Sequence, residues 1–198
     1  MNNQKISSLL SMFIILLLAS ISVYGQFTAK MHYTMSGKSG EFQIFSDGSN
    51  YRYEFNEDGE EGVVIVPNDA KQIIILMPQQ KMAIKTNSTS QMSMGRDPLK
   101  QYEYWLNEGA TEEIVGNEKI NGIECIKKEL RNVKKDEYGE VNQHLFTMWY
   151  SEEYKFPVKM ENYIDGSASS GMEVTDIEAW TPNADSFKVP DGYAMMEM

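Results

Sequence analysis

Apolar and polar residues alternate along much of the chain after residue 26. Phe27, Ala29, Met31, Tyr33 and Met35 fall on one side, with Thr28, Lys30, His32 and Thr34 on the other. A period of two is that of a half-buried β-strand. Residues 41–46 and 51–55 continue the pattern, separated by the turn-forming cluster Asp47-Gly48-Ser49-Asn50. The runs 63–66 and 73–77, joined across Pro67-Asn68-Asp69, are apolar on both faces. They predict a cover on the outer side or a filled concave inner one. Residues 81–86 close this first meander.

One helix interrupts the strands. Asp97 suits its cap, Pro98 its first position and Gly109 the residue just past its end. Leu99, Tyr102, Trp105 and Leu106 make its apolar face. Strands resume over 112–115, 123–131, 143–150, 157–164 and 172–180, with Asn121-Gly122 as a hairpin turn. The polar stretches 86–95 and 134–140 read as loops. The sum is about ten strands, antiparallel in both halves, and one helix: a mostly β (α+β) chain. Twisted open sheets rarely stay flat beyond ~10 strands, so this one is expected to curl or split into layers. A helix against the concave side of a curled sheet creates an apolar pocket.

The first 25 residues follow a different rule. Lys5 precedes an apolar stretch from Leu9 to Ile21, which ends in Val23-Tyr24-Gly25. The stretch is short of the roughly 20 apolar residues of a membrane span. The layout is that of a signal peptide cut between Gly25 and Gln26, leaving one domain over 26–198. The processed protein is expected in the periplasm or outside the cell, and not as an integral membrane protein. No cysteine stands directly after the cut, so a lipid anchor is not expected.

Charge narrows the partners. The chain carries −11, and Lys5 is the only charge before residue 26, so the processed chain carries −12. Such a protein is repelled by nucleic acid and by anionic headgroups. Cys125 is the single cysteine, which rules out an internal disulfide. It lies between Ile123 and Ile126 and reads as a buried, inert thiol. His32 and His144 have no partner at metal-ligand spacing, and no phosphate loop, nucleophile elbow or zinc motif occurs. Neither a catalytic residue nor a cofactor is therefore assigned. The acidic run 57–61 lacks the spacing of a calcium loop and reads as a solvated turn. Asn87-Ser88-Thr89 matches a glycosylation sequon, a pattern that chance supplies often. Methionine is abundant, with 14 in all, including Met92, Met94, Met195, Met196 and Met198. Clustered thioethers suit Cu(I); without His or Cys nearby, an adaptable apolar surface is the simpler reading.

Four segments resemble a known family. Gly116 to Cys125 is similar to its "G…I-x-G…C/Y" hairpin, and Trp149 to Lys159 to its "W-x-S-x-E…P-V-K" strand pair. Phe187-Lys188-Val189-Pro190-Asp191-Gly192-Tyr193 resembles its closing "F-x-V-P-x-G-Y", and Asp47 to Arg52 its "D-G…R" turn. The family is an uncharacterised exported domain of Gram-negative bacteria, similar in architecture to the lipoprotein carriers LolA and LolB. The resemblance implies a half-open antiparallel barrel plugged by helices on its concave face, which in the carriers holds acyl chains. It also sets Arg52 beside a carrier arginine that gates the cavity, although here Arg52 alternates with Tyr51 and Tyr53. One helix is signalled where the carriers use more.

Two readings of function follow. The first is a binding protein enclosing an apolar ligand, a lipid or the acyl chain of a modified protein. Its candidate lining is Phe27, Met31, Tyr33, Phe42, Ile44, Tyr53, Ile75, Met82, Ile84, Leu99, Tyr102 and Leu106, each of which also suits an ordinary dry core. The second is a closed-core module that docks a protein partner through its acidic face or methionine-rich tail. Cu(I) binding stands third. The sequence leaves the ligand and the oligomeric state open.

Overall fold

The computed structural model describes residues 25–35, 37–57, 59–67, 71–88, 98–136 and 139–198. The expected signal peptide up to Tyr24, the expected cap Asp97, Met92, Met94 and Thr89 of the sequon lie outside these residues. Twelve strands and one helix occur among the described residues. The first meander comprises β1 (Gln26–Met35), β2 (Lys38–Asp47), β3 (Tyr51–Glu57), β4 (Glu60–Val66), β5 (Gln72–Met77) and β6 (Met82–Asn87). Helix α1 (Pro98–Asn107) follows. The second meander is β7 (Thr111–Ile120), β8 (Ile123–Asp136), β9 (Gly139–Ser151), β10 (Phe156–Ile164) and β11 (Ser167–Ala179), and β12 (Ala194–Glu197) ends the fold.

All twelve strands belong to one sheet, ordered β12-β6-β5-β4-β3-β2-β1-β11-β10-β9-β8-β7. The two meanders join where β1 pairs with β11, Phe27 facing Ala179. The fold is therefore mostly β, one large open curled sheet with one helix among the described residues. The ring contacts show the curl. Four strand steps separate β3 from β10, about 19 Å in a flat sheet at ~4.8 Å per step. Yet the Tyr51 and Phe156 rings lie 5.6 Å apart and meet edge to face.

Local signals explain most boundaries. Asp47 closes its turn by accepting hydrogen bonds at Oδ1 from the Ser49 and Asn50 amides, at 2.8 and 2.7 Å. Asn121 and Gly122 take φ +51° and +84°, as a two-residue hairpin requires. Gly109, at φ +93°, ends α1. Its amide donates to Leu106 O and that of Ala110 to Trp105 O, at 3.1 and 2.9 Å, which is a Schellman cap.

Two expectations need correction. Residues 134–136 and 139–140 extend the β8–β9 pairing, with Lys134 facing Val141 and Asp136 facing Gly139. Antiparallel pairing holds from β1 to β11, but β12 runs parallel to β6, Ala194 facing Met82. That strand went unassigned because Ala-Met-Met-Glu does not alternate.

The inner face carries the main core. It holds Phe27, Met31, Ile44, Tyr53, Ile73, Leu130 and Phe146, with Tyr102 of α1 packed on them. The outer side of the doubly apolar strands is covered, as their pattern requires: Phe187, Val189 and Tyr193 pack on Ile65, Leu76 and Ala83. The segments that resemble the exported family thus include much of the scaffold. Trp149 joins Cys125 and Val158 in a small outer cluster and donates Nε1–H to Glu118 Oε2 at 2.8 Å. Buried Ser151 accepts the Tyr154 amide at 3.3 Å and shapes the β9–β10 turn.

Candidate functional site

A cleft of about 440 Å³ opens between α1 and one end of the curled sheet. The first half contributes Tyr51 and Pro67, and the helix contributes Leu99, Lys100, Tyr102, Glu103 and Leu106. The second half contributes Lys128, Met148, Tyr150, Lys155 and Phe156. The helix cannot fill this mouth by itself. Tyr102 is buried, Leu99 and Trp105 are partly buried against the core, and Leu106 remains 37% exposed.

A polar lock holds the helix to the sheet. The Tyr102 hydroxyl donates to Glu112 Oε2 at 2.7 Å, and Lys128 Nζ binds the other carboxylate oxygen at 3.1 Å. Burial, reinforced by the bond to Glu112, pushes the Tyr102 hydroxyl well above the usual phenol range. Burial likewise raises Tyr150. Lys128 also stands over the Tyr150 ring, 5.3 Å from its centroid. Tyr102→Phe is expected to cost about 1–2 kcal/mol at neutral pH, since the hydrogen bond to a charged acceptor is lost while Glu112 keeps Lys128. The folded tyrosine holds its proton where the unfolded one releases it, so the wild type should lose stability as pH rises above ~10. Urea melts from pH 7 to 11 check both statements; a phenylalanine variant with the same alkaline slope as the wild type would refute the second.

The candidate residues distribute unevenly. Leu99, Tyr102 and Leu106 come together in the cleft. Phe27, Met31, Ile44 and Tyr53 are fully buried; Phe42 and Ile75 are nearly so. Tyr33 and Ile84 pack against that cluster, and Met82 is half-buried on the same side of β6 as Ile84. Arg52 points the other way. Its Nη1 donates to Ser186 O at 2.6 Å, its guanidinium lies 4.6 Å from the centroid of the Phe45 ring, and Glu54 pairs with it. It holds the segment that covers the outer face. Sequence reasoning missed Lys100, Lys128, Met148, Tyr150 and Phe156, which reach the cleft from separate elements. By alternation Lys128 faces opposite Lys127, but its charge gives it the look of a solvent-side residue.

Other chemistry finds little support in the geometry. Among the described residues no group of three His, Cys, Asp or Glu side chains is placed to hold a metal. His32 is exposed between Glu41 and Thr175. His144 stacks on Tyr163 with ring centroids 4.1 Å apart and donates Nε2–H to Phe146 O. Cys125 is buried, which pushes its thiol up and away from reactivity. Met195 and Met196, adjacent in β12, project to opposite sides of the strand. No helix among the described residues is long and apolar enough to cross a membrane.

No protein-family model matches the chain, and no curated protein does. Solved structures do. An uncharacterized conserved protein from Thermus thermophilus aligns over 95% of this chain and 99% of its own, at 9% identity and a TM-score of 0.57. A chain of the Pseudomonas aeruginosa MucA/MucB complex aligns over 85% of this chain at 13% identity and a TM-score of 0.50; the match spans 57% of that chain. The similar structures include a LolA superfamily protein from Nitrosomonas europaea, at 12% identity over 83% of this chain and 90% of that one, with a TM-score of 0.43. These likenesses are of fold.

Proposed function

We propose that residues 26–198 form an exported binding protein that takes an apolar chain, from a lipid or an acylated protein, into the cleft between α1 and the sheet. One observation carries this reading. Leu99, Leu106, Met148, Tyr150 and Phe156 line an open space of about 440 Å³, within the size range of small-molecule pockets. The core cluster to which Tyr102, Met148 and Phe156 belong continues through Phe27, Met31, Phe42, Ile44, Tyr53 and Ile75, with Tyr33 and Ile84 packed against it. The N-terminal pattern supports a location outside the cytoplasm.

The neutral dye N-phenylnaphthylamine tests the reading, since its fluorescence rises in an apolar site. The detergent-free protein is expected to bind it saturably at one equivalent. Leu106→Gln, a change at an exposed helix position, should weaken binding about tenfold, as loss of a well-buried apolar contact does. A signal that fails to saturate would refute the cleft as a binding site.

A second reading, a module that docks a protein, is favoured by β7. This edge strand is exposed from Thr111 to Lys119 and lacks a neighbour on one side among the described residues. An unpaired edge is a template for an added strand. The likeness to a chain of the MucA/MucB complex suits such a role.

A further inference from the structure

The cleft differs in charge from the molecule around it. The chain carries −11, yet among the described residues the charged side chains lining the cleft are Lys100, Lys128 and Lys155 against Glu103, with the Glu112 carboxylate bound to Lys128. Lys100 is the most unusual of them, with only 3% of its side chain exposed. An ammonium carries three donors, and burying it is costly unless it is paired and hydrogen-bonded. Glu103 Oε2, at 2.6 Å, satisfies one donor from a side chain that is itself 49% exposed. Lys128 shares the Glu112 carboxylate with Tyr102, so that one negative charge serves two donors. Lys155 stands exposed at the rim, in a turn where it takes φ +51°.

We infer that the cleft selects a single-chain amphiphile with an anionic head, a carboxylate or a phosphate. The lysines take the head, while Leu99, Leu106, Met148 and Phe156 take the chain. The inference rests on the apolar-chain reading above and goes further by assigning Lys100 and Lys128 the role of setting specificity. Coulombic attraction is stronger against low-dielectric walls than on an open surface, and a cleft with an excess of positive charge concentrates anions. Such a cleft in an acidic protein thus admits anions that the rest of the surface repels.

The test compares laurate, dodecyl phosphate and dodecanol as competitors of N-phenylnaphthylamine on the wild-type protein at about 150 mM salt, where open-surface charges are largely screened. These ligands share one chain length and differ in the head. At least one anion is expected to bind about ten times more tightly than the alcohol. A margin for laurate alone identifies a carboxylate head, and one for dodecyl phosphate alone a phosphate. Lys100→Met and Lys128→Met should each shrink the margin between the preferred anion and dodecanol at least threefold. The wild-type comparison decides even if a variant fails to fold. Dodecanol within twofold of both anions, with the dye still bound, overturns the anionic head and leaves the apolar-chain reading standing. Absence of dye and ligand binding overturns both.

Discussion

Phe27→Ala is expected to lower stability by about 3–5 kcal/mol, the usual range for emptying a buried phenylalanine site. Phe27 is 0% exposed and meets Tyr154 and Phe156 edge to face, with centroids 5.5 and 5.8 Å away. Two features keep the cost near the top of that range. It lies on β1, which is paired on both sides, to Ser46 of β2 and Ala179 of β11, so the backbone cannot move in to fill the void. Its rings also continue through Phe156 to Tyr51, so the loss extends along an aromatic chain. Typical domains hold only about 5–15 kcal/mol in total, so a urea or guanidinium titration should show a large fall in midpoint. Phe27→Leu, which keeps most of the volume, should cost less than half as much. A loss below about 1 kcal/mol for the alanine variant would mean that the inner face is loosely packed, contrary to its burial.

Removing residues 181–198 should have an effect of similar size and a worse visible outcome. Those residues cover Ile65, Leu76 and Ala83, which are at most 4% exposed, and they also contribute Phe187, Val189 and Tyr193. At ~1.5–3 kcal/mol for each large aliphatic side chain returned to water, the loss is on the order of 5 kcal/mol. The β6 edge also loses its neighbour, including the bonds from Ala194 N to Lys81 O and from Met198 N to Lys85 O. An apolar row beside an unpaired edge is a site of aggregation. The shortened chain should therefore appear in the insoluble fraction or as large species on gel filtration. A monomer that melts with the full chain would show the cover to be dispensable.

How far the residues foretold the structure depended on the range of the interaction. Alternation from Phe27 to Tyr33, the Asp47 turn, the Asn121-Gly122 hairpin and the glycine at 109 are local signals, and each appears where the pattern put it. The run 63–66 announced an outer cover without naming it, because Phe187 and Val189 reach Ile65 only through the fold. β12 was illegible for a related reason: its order comes from lying beside β6, with no rhythm of its own. At the site, the helix positions Leu99, Tyr102 and Leu106 could be grouped by spacing. Lys128, Met148 and Phe156 sit on three different strands, and only the curl of the sheet brings them to one mouth.

The placement of β1 has a consequence in time. It is made before the other described strands and is one of the last to be completed, because one of its two edges waits for β11. A chain delivered N-terminus first can zip β1 through β6 into a hairpin series while the other side of β1 stays bare. Pairings between residues so remote in sequence also form slowly. Until residues 167–179 arrive, the growing product keeps an open seam along its middle. A chaperone that shields extended segments would thus meet the growing chain in an unfinished state until its late strands are made.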